Sequence, residues 1–323
     1  TRMASNRPKM LHALAGRPLL AHVLDSAAGL NPQRIHVVVG HQSDVVRAAI
    51  EETNPGLGVN WVEQGEQLGT GHAVLQALPA VAEDAAVLVV FGDVPLITGE
   101  TLEACVASAL AGGIALVTAD FPDPAQLGRI MRDAGGGIEA IVEFKDASDE
   151  QRRVKEINSG IMAAAPGAMQ ELLPQVRPHN AQGEYYLTDV VALAVSHNIR
   201  VSGLKAGCPE EVAGVNDRAQ LAELERYFQG ERAAQLMRAG VTIADPARLD
   251  IRGDVSVGKD CFIDVNVVLE GRVVLGEGVV VGPGVVIRDT ELGDGVHIEA
   301  HTVIEGALVA SGCILGPFAR IRP

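Results

Sequence analysis

Aromatic side chains are scarce, at 3% of 323 residues with a single Trp, and the 26 Lys and Arg residues do not balance 41 Asp and Glu. The resulting formal charge of −15 leaves no broad positive field for nucleic acid or an anionic membrane, so an anionic ligand must be held by local donors. Only four cysteines occur, Cys105, Cys208, Cys261 and Cys313, and no two form a CxxC pair. This argues against a zinc site or a disulfide framework and suits a reducing compartment. No apolar run approaches the ~20 residues of a membrane span, and TRMASNRPKM lacks the apolar core of a signal peptide. A cytoplasmic protein with neither membrane nor nucleic-acid partners is expected.

Apolar residues are plentiful at 47%, against 21% charged, which excludes disorder and allows a large core. The length fits two domains. Glycine is abundant, 36 residues, and strings such as VVVG, VLVVF and ALVTA favour sheets and tight turns.

From Pro18 to about Leu204, helical patterns alternate with short apolar runs, as in βα units around a mostly parallel sheet. Strands are expected at 35–39, 59–62, 86–91, 114–118, 138–144 and 156–164. Helices are expected at 71–78 and 102–110, and Leu20, Val23, Leu24 and Ala27 share one helix face. In such sheets ligands gather beyond the carboxyl ends of the strands. Residues 216–240 have a strong helix composition and read as a linking helix, with Gly230 expected to kink or interrupt it.

Beyond Asp254 the period changes. Apolar residues recur at Val257, Ile263, Leu269, Leu275, Val281, Ile287, Leu292, Ile298, Ile304, Val309, Leu315 and Ile321, in steps of six with two steps of five. Twelve such hits have a chance probability on the order of 10⁻⁴ at the apolar background. The residue two places earlier is always small or β-branched, and glycine often follows, as at Gly258, Gly276 and Gly293. This resembles the hexapeptide repeat of left-handed parallel β-helices, in which three hexapeptides make a coil. Twelve units then imply four coils, and such prisms commonly pack as trimers.

Polar or glycine-rich fragments lie near the predicted boundaries of the first half: Arg2 to Lys9, Glu66 to His72, Phe91 to Pro95, and Asn216. Asp93, after a buried run, reads either as a turn-initiating cap or as a hard oxygen ligand for Mg²⁺. Lys9 and Arg2 read either as solvated surface cations or as donors to phosphate. Gly69-Thr70-Gly71 suits a helix cap as well as a site where backbone N–H groups meet a nucleobase or phosphate. His36 and His72 lack a visible nucleophile partner and read as packing or surface residues. Glu143 and Asn158 alone read as a solvent-facing strand pair.

Taken in order, PKMLHALAGRPLLAHVL, EQLGTGHAV, FGDVPLI, GRI, IVEFKDASDEQ, EINSGI, NAQGEYYLTDVV and VAGVNDRAQL, followed by the hexapeptide prism, closely resemble the family of bacterial bifunctional N-acetylglucosamine-1-phosphate uridyltransferase/glucosamine-1-phosphate acetyltransferases. The resemblance runs through essentially the whole chain. It implies a Rossmann-like nucleotidyltransferase domain with a mostly parallel mixed sheet at 1–215, a linker helix at 216–240 and a left-handed β-helix at 241–323. It also implies Mg²⁺-dependent reaction of UTP with N-acetylglucosamine 1-phosphate to give UDP-N-acetylglucosamine and pyrophosphate, in a homotrimer.

By motif, the resemblance implies that Gln64, Gly69 and Thr70 recognise uracil, that Arg2 and Lys9 stabilise the triphosphate and departing pyrophosphate, and that Asp93 and Asn216 hold Mg²⁺. Phe91 and Gly92, just before Asp93, belong to the same substrate-binding set; Phe91 stands where relatives often carry Tyr. Gly128, Glu143 and Asn158 are implied to grip the sugar and its N-acetyl group, with Tyr186 and Thr188 lining that pocket. Arg322 matches a ligand-contacting residue of the acetyltransferase half. The family's opening L-A-A-G-x-G-T-R-M loop is represented by Thr1-Arg2-Met3 alone, and its acetyltransferase His, Tyr, Asn and Lys residues fall past Pro323. Acetyl transfer is therefore expected to be absent from this chain. Two alternatives are a pyrophosphorylase for another base or hexose, and a noncatalytic pyrophosphorylase-like subunit.

Overall fold

The structure is a computed structural model that describes residues 3–323. The chain forms two compact units, one made of Ala4–Leu11 and Leu19–Gly214, the other including His12–Pro18 and Val215–Pro323.

The first unit is a mixed α/β fold. Strand Gly113–Asp120 pairs parallel with Arg200–Lys205 and antiparallel with Glu156–Ala164, which in turn meets Val87–Val89 and Arg129–Arg132, with Ile138–Val142 at the edge. Side chains alternate between the faces of a strand. Ile114 and Leu116 accordingly enter one core with Met162, Met169 and Val190, while Ala115, Val117 and Ala119 enter the other with Leu102, Cys105 and Ile161. A separate parallel pair, Ile35–Val39 with Val59–Glu63, supports a third cluster through Val39, with Leu20, Leu24 and Ile50.

The expected strands 35–39 and 156–164 are found with those limits, whereas the strand expected over 86–91 is confined to Val87–Val89. The helix expected from Leu102 begins at Gly99, because the Thr98 hydroxyl accepts from the Thr101 N–H at 3.2 Å and caps it. Helices Ser43–Thr53 and Asp189–Ser196 and strands Arg129–Arg132 and Arg200–Lys205 add to the expected set.

In the second unit the linking helix spans Arg218–Arg238 and is capped by Asp217, which accepts from the N–H groups of Ala219 and Gln220, both at 2.9 Å. The expected interruption at Gly230 does not occur: the helix runs through it, and a Cβ there would meet nothing within 4 Å. Propensity lost at one glycine is outweighed by packing elsewhere on the helix. Ala233 joins the β-helix core, and the Gln229 side chain bonds both the N–H and the carbonyl of Ile251, at 2.7 and 2.9 Å.

The hexapeptide repeat is a left-handed β-helix of parallel rungs. Leu249 pairs with Val267, one coil or eighteen residues on, and the inward Ile263, Leu269, Val281, Ile287, Ile298 and Ile304 are fully buried. The five-residue steps shorten the coil. Glu270 pairs with Arg288 but Val273 pairs with Thr290, so one residue is dropped at the corner. There the Asp289 side chain accepts the Arg272 N–H at 3.0 Å, doing the work of the missing residue's carbonyl. At another corner a Cβ on Gly276 would lie 2.7 Å from the Gly293 carbonyl carbon of the next coil, so close stacking requires glycine.

Among the described residues, no helix is long and apolar enough to cross a membrane.

Candidate active site

Three groups of side chains assemble in the first unit. Lys9 lies in a short turn closed by the Leu11 N–H on the Pro8 carbonyl, at 3.0 Å. Its Nζ is 2.5 Å from Asp93 Oδ2, in the turn beyond strand Val87–Val89. The neighbouring backbone is tight at Gly92, where a Cβ would stand 3.0 Å from Met10 Sδ, and Gly214 lies in ordinary contact range of Asp93, a Cβ there standing 3.8 Å from Oδ2. Asp93 thus presents a hard oxygen, partly exposed, with a cation beside it. Among the described residues no three His, Cys, Asp or Glu side chains form a metal cluster. A single carboxylate of this kind can serve a divalent metal that completes its shell with water and substrate phosphate.

The second group surrounds the loop before helix Thr70–Ala77. Gln64 follows strand Val59–Glu63, and its Nε2 donates to the Gly69 carbonyl at 3.2 Å. Gly69 has φ +109°, and a Cβ there would come 2.6 Å from the Tyr185 carbonyl. The same segment is stitched further: Gly71 N–H donates to Tyr185 O and Tyr185 N–H to Leu68 O, both at 2.8 Å, and Leu187 N–H to Thr70 Oγ1 at 3.1 Å. The strings EQLGTGHA and NAQGEYYLTD are therefore two sides of one structure.

The third group is continuous with the second. Thr188 Oγ1 donates to Glu143 Oε1 at 3.2 Å, and a Cβ on Gly128 would come 3.3 Å from both Glu143 oxygens. Burial raises the Glu143 carboxyl pKa, the Thr188 hydroxyl opposes that shift, and Asp146 and Asp189 add to it. Asp189 is likewise raised, first by burial and then by Asp146. Asn158 donates its backbone N–H to Gly128 O at 2.9 Å, and its side-chain Oδ1 is buried without a partner. Tyr186, 7% exposed, accepts at its hydroxyl from Gln182 Nε2 at 2.8 Å, and Gln182 in turn holds Lys145. Phe91 joins the first group to the third, since its ring packs where a Cβ of Gly160 would stand, 2.6 Å from Phe91 Cε2.

Lys9, Gln64, Gly69, Thr70, Phe91, Gly92, Asp93, Gly128, Glu143, Asn158, Tyr186 and Thr188 all belong to this unit. Asn216 belongs to the other, its N–H donating to Gln220 Oε1 at 2.8 Å, and Arg322 is exposed in the last coil. Arg2 lies outside the described residues.

Two neighbours of the site were given no part in it by the sequence reading: Arg129 was not singled out, and His72 was read as a packing or surface residue. Arg129, 2% exposed, donates to the carbonyls of Ala125, Leu127 and Arg152 and so fixes the chain leading into Gly128. His72 lies between Gln64 and Gln76, at 3.0 and 3.1 Å. The signal for Arg129 was its adjacency to Gly128, whereas nothing in the spacing marks His72.

The mixed α/β unit with this glycine loop, followed in the chain by a helix and a β-helix, matches known proteins that place it among the sugar-nucleotide pyrophosphorylases. Residues 1–132 match the MobA-like NTP transferase domain and residues 251–323 the GMPPB C-terminal domain. The bifunctional protein GlmU of Alkalilimnicola ehrlichii is 52% identical over the whole chain, which covers 69% of that protein. That of Marinobacter nauticus is 50% identical over the whole chain, which covers 70% of it. The chain belongs to the GlmU family. A crystal structure of UDP-glucose pyrophosphorylase complexed with UDP-glucose shares the fold, with TM-score 0.55 at 13% identity over 70% of this chain and 91% of that one.

Proposed function

We propose that the chain transfers a uridylyl group from UTP to N-acetylglucosamine 1-phosphate, releasing pyrophosphate and forming UDP-N-acetylglucosamine, in the cytoplasm and as a trimer built on the β-helix. A phosphate oxygen of the sugar phosphate bonds to the α-phosphorus of UTP as the bond from that phosphorus to the bridging oxygen of pyrophosphate breaks. The attacking oxygen is already anionic, so no general base is needed; positioning and charge neutralisation are the requirements.

Lys9 and Arg2 neutralise the triphosphate and the leaving pyrophosphate. Asp93 would hold Mg²⁺, which would supply positive charge to the phosphate oxygens. Gln64, Gly69 and Thr70 take the uracil. Glu143 accepts from sugar hydroxyls, and Gly128 leaves room beside it.

The observation that supports a sugar ligand is Asn158 Oδ1, a buried acceptor with no partner, while the N-acetyl form is taken from the family resemblance. Leaving such a group unmade costs about 1–3 kcal/mol, and an N–H or O–H of the N-acetyl sugar would satisfy it. The test is pyrophosphate release from UTP with Mg²⁺. N-acetylglucosamine 1-phosphate should support turnover and glucose 1-phosphate should be poor; equal rates would overturn the assignment and favour a pyrophosphorylase for another hexose.

A further inference from the structure

The Gln64 amide is held at two points. Its Nε2 lies 3.2 Å from the Gly69 carbonyl and 3.0 Å from His72 Nδ1. A backbone carbonyl only accepts, so the Gln64 atom beside Gly69 must be the NH₂ group. One of its hydrogens goes to Gly69 O, and the other goes to His72 Nδ1. A ring nitrogen that accepts carries no proton, so His72 is neutral with its hydrogen on Nε2. That hydrogen needs an acceptor, and Gln76 is the neighbour, its amide nitrogen Nε2 standing 3.1 Å from His72 Nε2. Its oxygen must face the ring there, since two amide NH₂ groups cannot both donate to one imidazole. Gln76 can turn to do so, because its other bond, to the His72 carbonyl, is a marginal 3.4 Å.

Both hydrogens of the Gln64 amide are then used, and Oε1 alone is left for a ligand. An acceptor in that place suits the N3–H of uracil and opposes the bare N3 of cytosine. Tyr185, whose ring centroid is 6.2 Å from that of His72, packs beside the ring. We infer that His72 is a positioning residue for base selectivity: by accepting from Gln64 it locks the amide with its oxygen toward the base and so favours uracil over cytosine. This rests on the assignment of Gln64 to the base in the proposed function. Without His72 the amide is held in that orientation by the Gly69 carbonyl alone, at 3.2 Å, so turning its N–H toward a cytosine forfeits one hydrogen bond instead of two.

The test compares kcat/KM for UTP, CTP and 5-methyl-UTP with N-acetylglucosamine 1-phosphate. His72→Phe keeps a ring against Tyr185 but removes the acceptor, and should lower the UTP/CTP ratio about tenfold, the worth of one hydrogen bond. The ratio of UTP to 5-methyl-UTP should stay constant, because both bases carry N3–H; a merely structural defect would leave the UTP/CTP ratio as it was. His72→Asn, which returns an oxygen near the Nδ1 position, should restore discrimination. His72→Ala gives the same reading as Phe if the larger ring disturbs folding. An unchanged UTP/CTP ratio in both the Phe and Ala variants overturns the inference, provided Gln64→Ala collapses it. If Gln64→Ala also leaves the ratio unchanged, the assignment of Gln64 to the base falls, and the inference with it.

Discussion

The backbone N–H of Asn158 donates to the carbonyl of Gly128 at 2.9 Å, while the Asn158 side-chain oxygen, on a residue only 8% exposed, has no partner. The backbone bond fixes the strand against the glycine, and the side chain is the group we assign to the substrate. Asn158→Ala should therefore lower kcat/KM for N-acetylglucosamine 1-phosphate by roughly tenfold or more, chiefly through KM. Removing an unsatisfied buried acceptor relieves a desolvation cost, so the Tm should hold or rise. Steady-state kinetics beside a thermal melt check this, and a lowered Tm with intact KM would count against the substrate role.

Asp93 and Lys9 form an ion pair at 2.5 Å whose side chains remain 17% and 30% exposed. Water screens such a pair, so its contribution to stability is about 1 kcal/mol or less. Asp93→Ala should therefore shift Tm by no more than about 3 °C. With Asp93 as the proposed metal ligand, its loss should cut pyrophosphate release by at least about a hundredfold. Undiminished turnover would refute its metal role.

Some of this was legible in the sequence, and the limits are physical. The β-helix was readable because each coil repeats the same inward positions, so period translates directly into rungs, and even the five-residue steps marked real shortened corners such as that at Asp289. Strands 35–39 and 156–164 were readable from apolar runs bounded by polar or glycine residues. Helix Asp189–Ser196 was not, since DVVALAVS is apolar nearly all round and has no face to show. The role of His72 was not either: its i,i+4 pairing with Gln76 is ordinary on a helix, and its contact with Gln64 depends on the return of the chain through Gly69, which leaves no periodic trace.

Gly69 combines φ +109° with a close approach to the Tyr185 carbonyl, 2.6 Å from where a Cβ would stand. A side chain there is strained in conformation and blocked in space. Gly69→Ala should cost about 2 kcal/mol of stability or displace the 184–187 segment, and because Thr70 and Leu187 are tied across the same junction, KM for UTP and for the sugar phosphate should rise together. A rise in only one would show that the two loops act independently.

Glu143 carries a pH dependence whose sign follows from burial. Its pKa is raised in the folded protein, mainly by desolvation, with the Thr188 hydroxyl opposing. A raised carboxyl pKa gives stability that is complete below the unfolded value and is lost as pH climbs through the folded one. At neutral pH the folded state alone bears the cost of a buried carboxylate. Glu143→Gln should thus raise Tm at pH 7 relative to the parent, and the difference should shrink toward zero as pH falls below the ordinary carboxylate range. Binding runs the opposite way, since a sugar hydroxyl donates best to the ionised form. Affinity for N-acetylglucosamine 1-phosphate should therefore weaken as pH drops through the raised pKa in the parent, and should be weak and nearly flat with pH in Glu143→Gln. Calorimetric titration beside melting curves at several pH values measures both trends. A variant less stable at neutral pH, with unaltered sugar affinity, would assign Glu143 to packing instead.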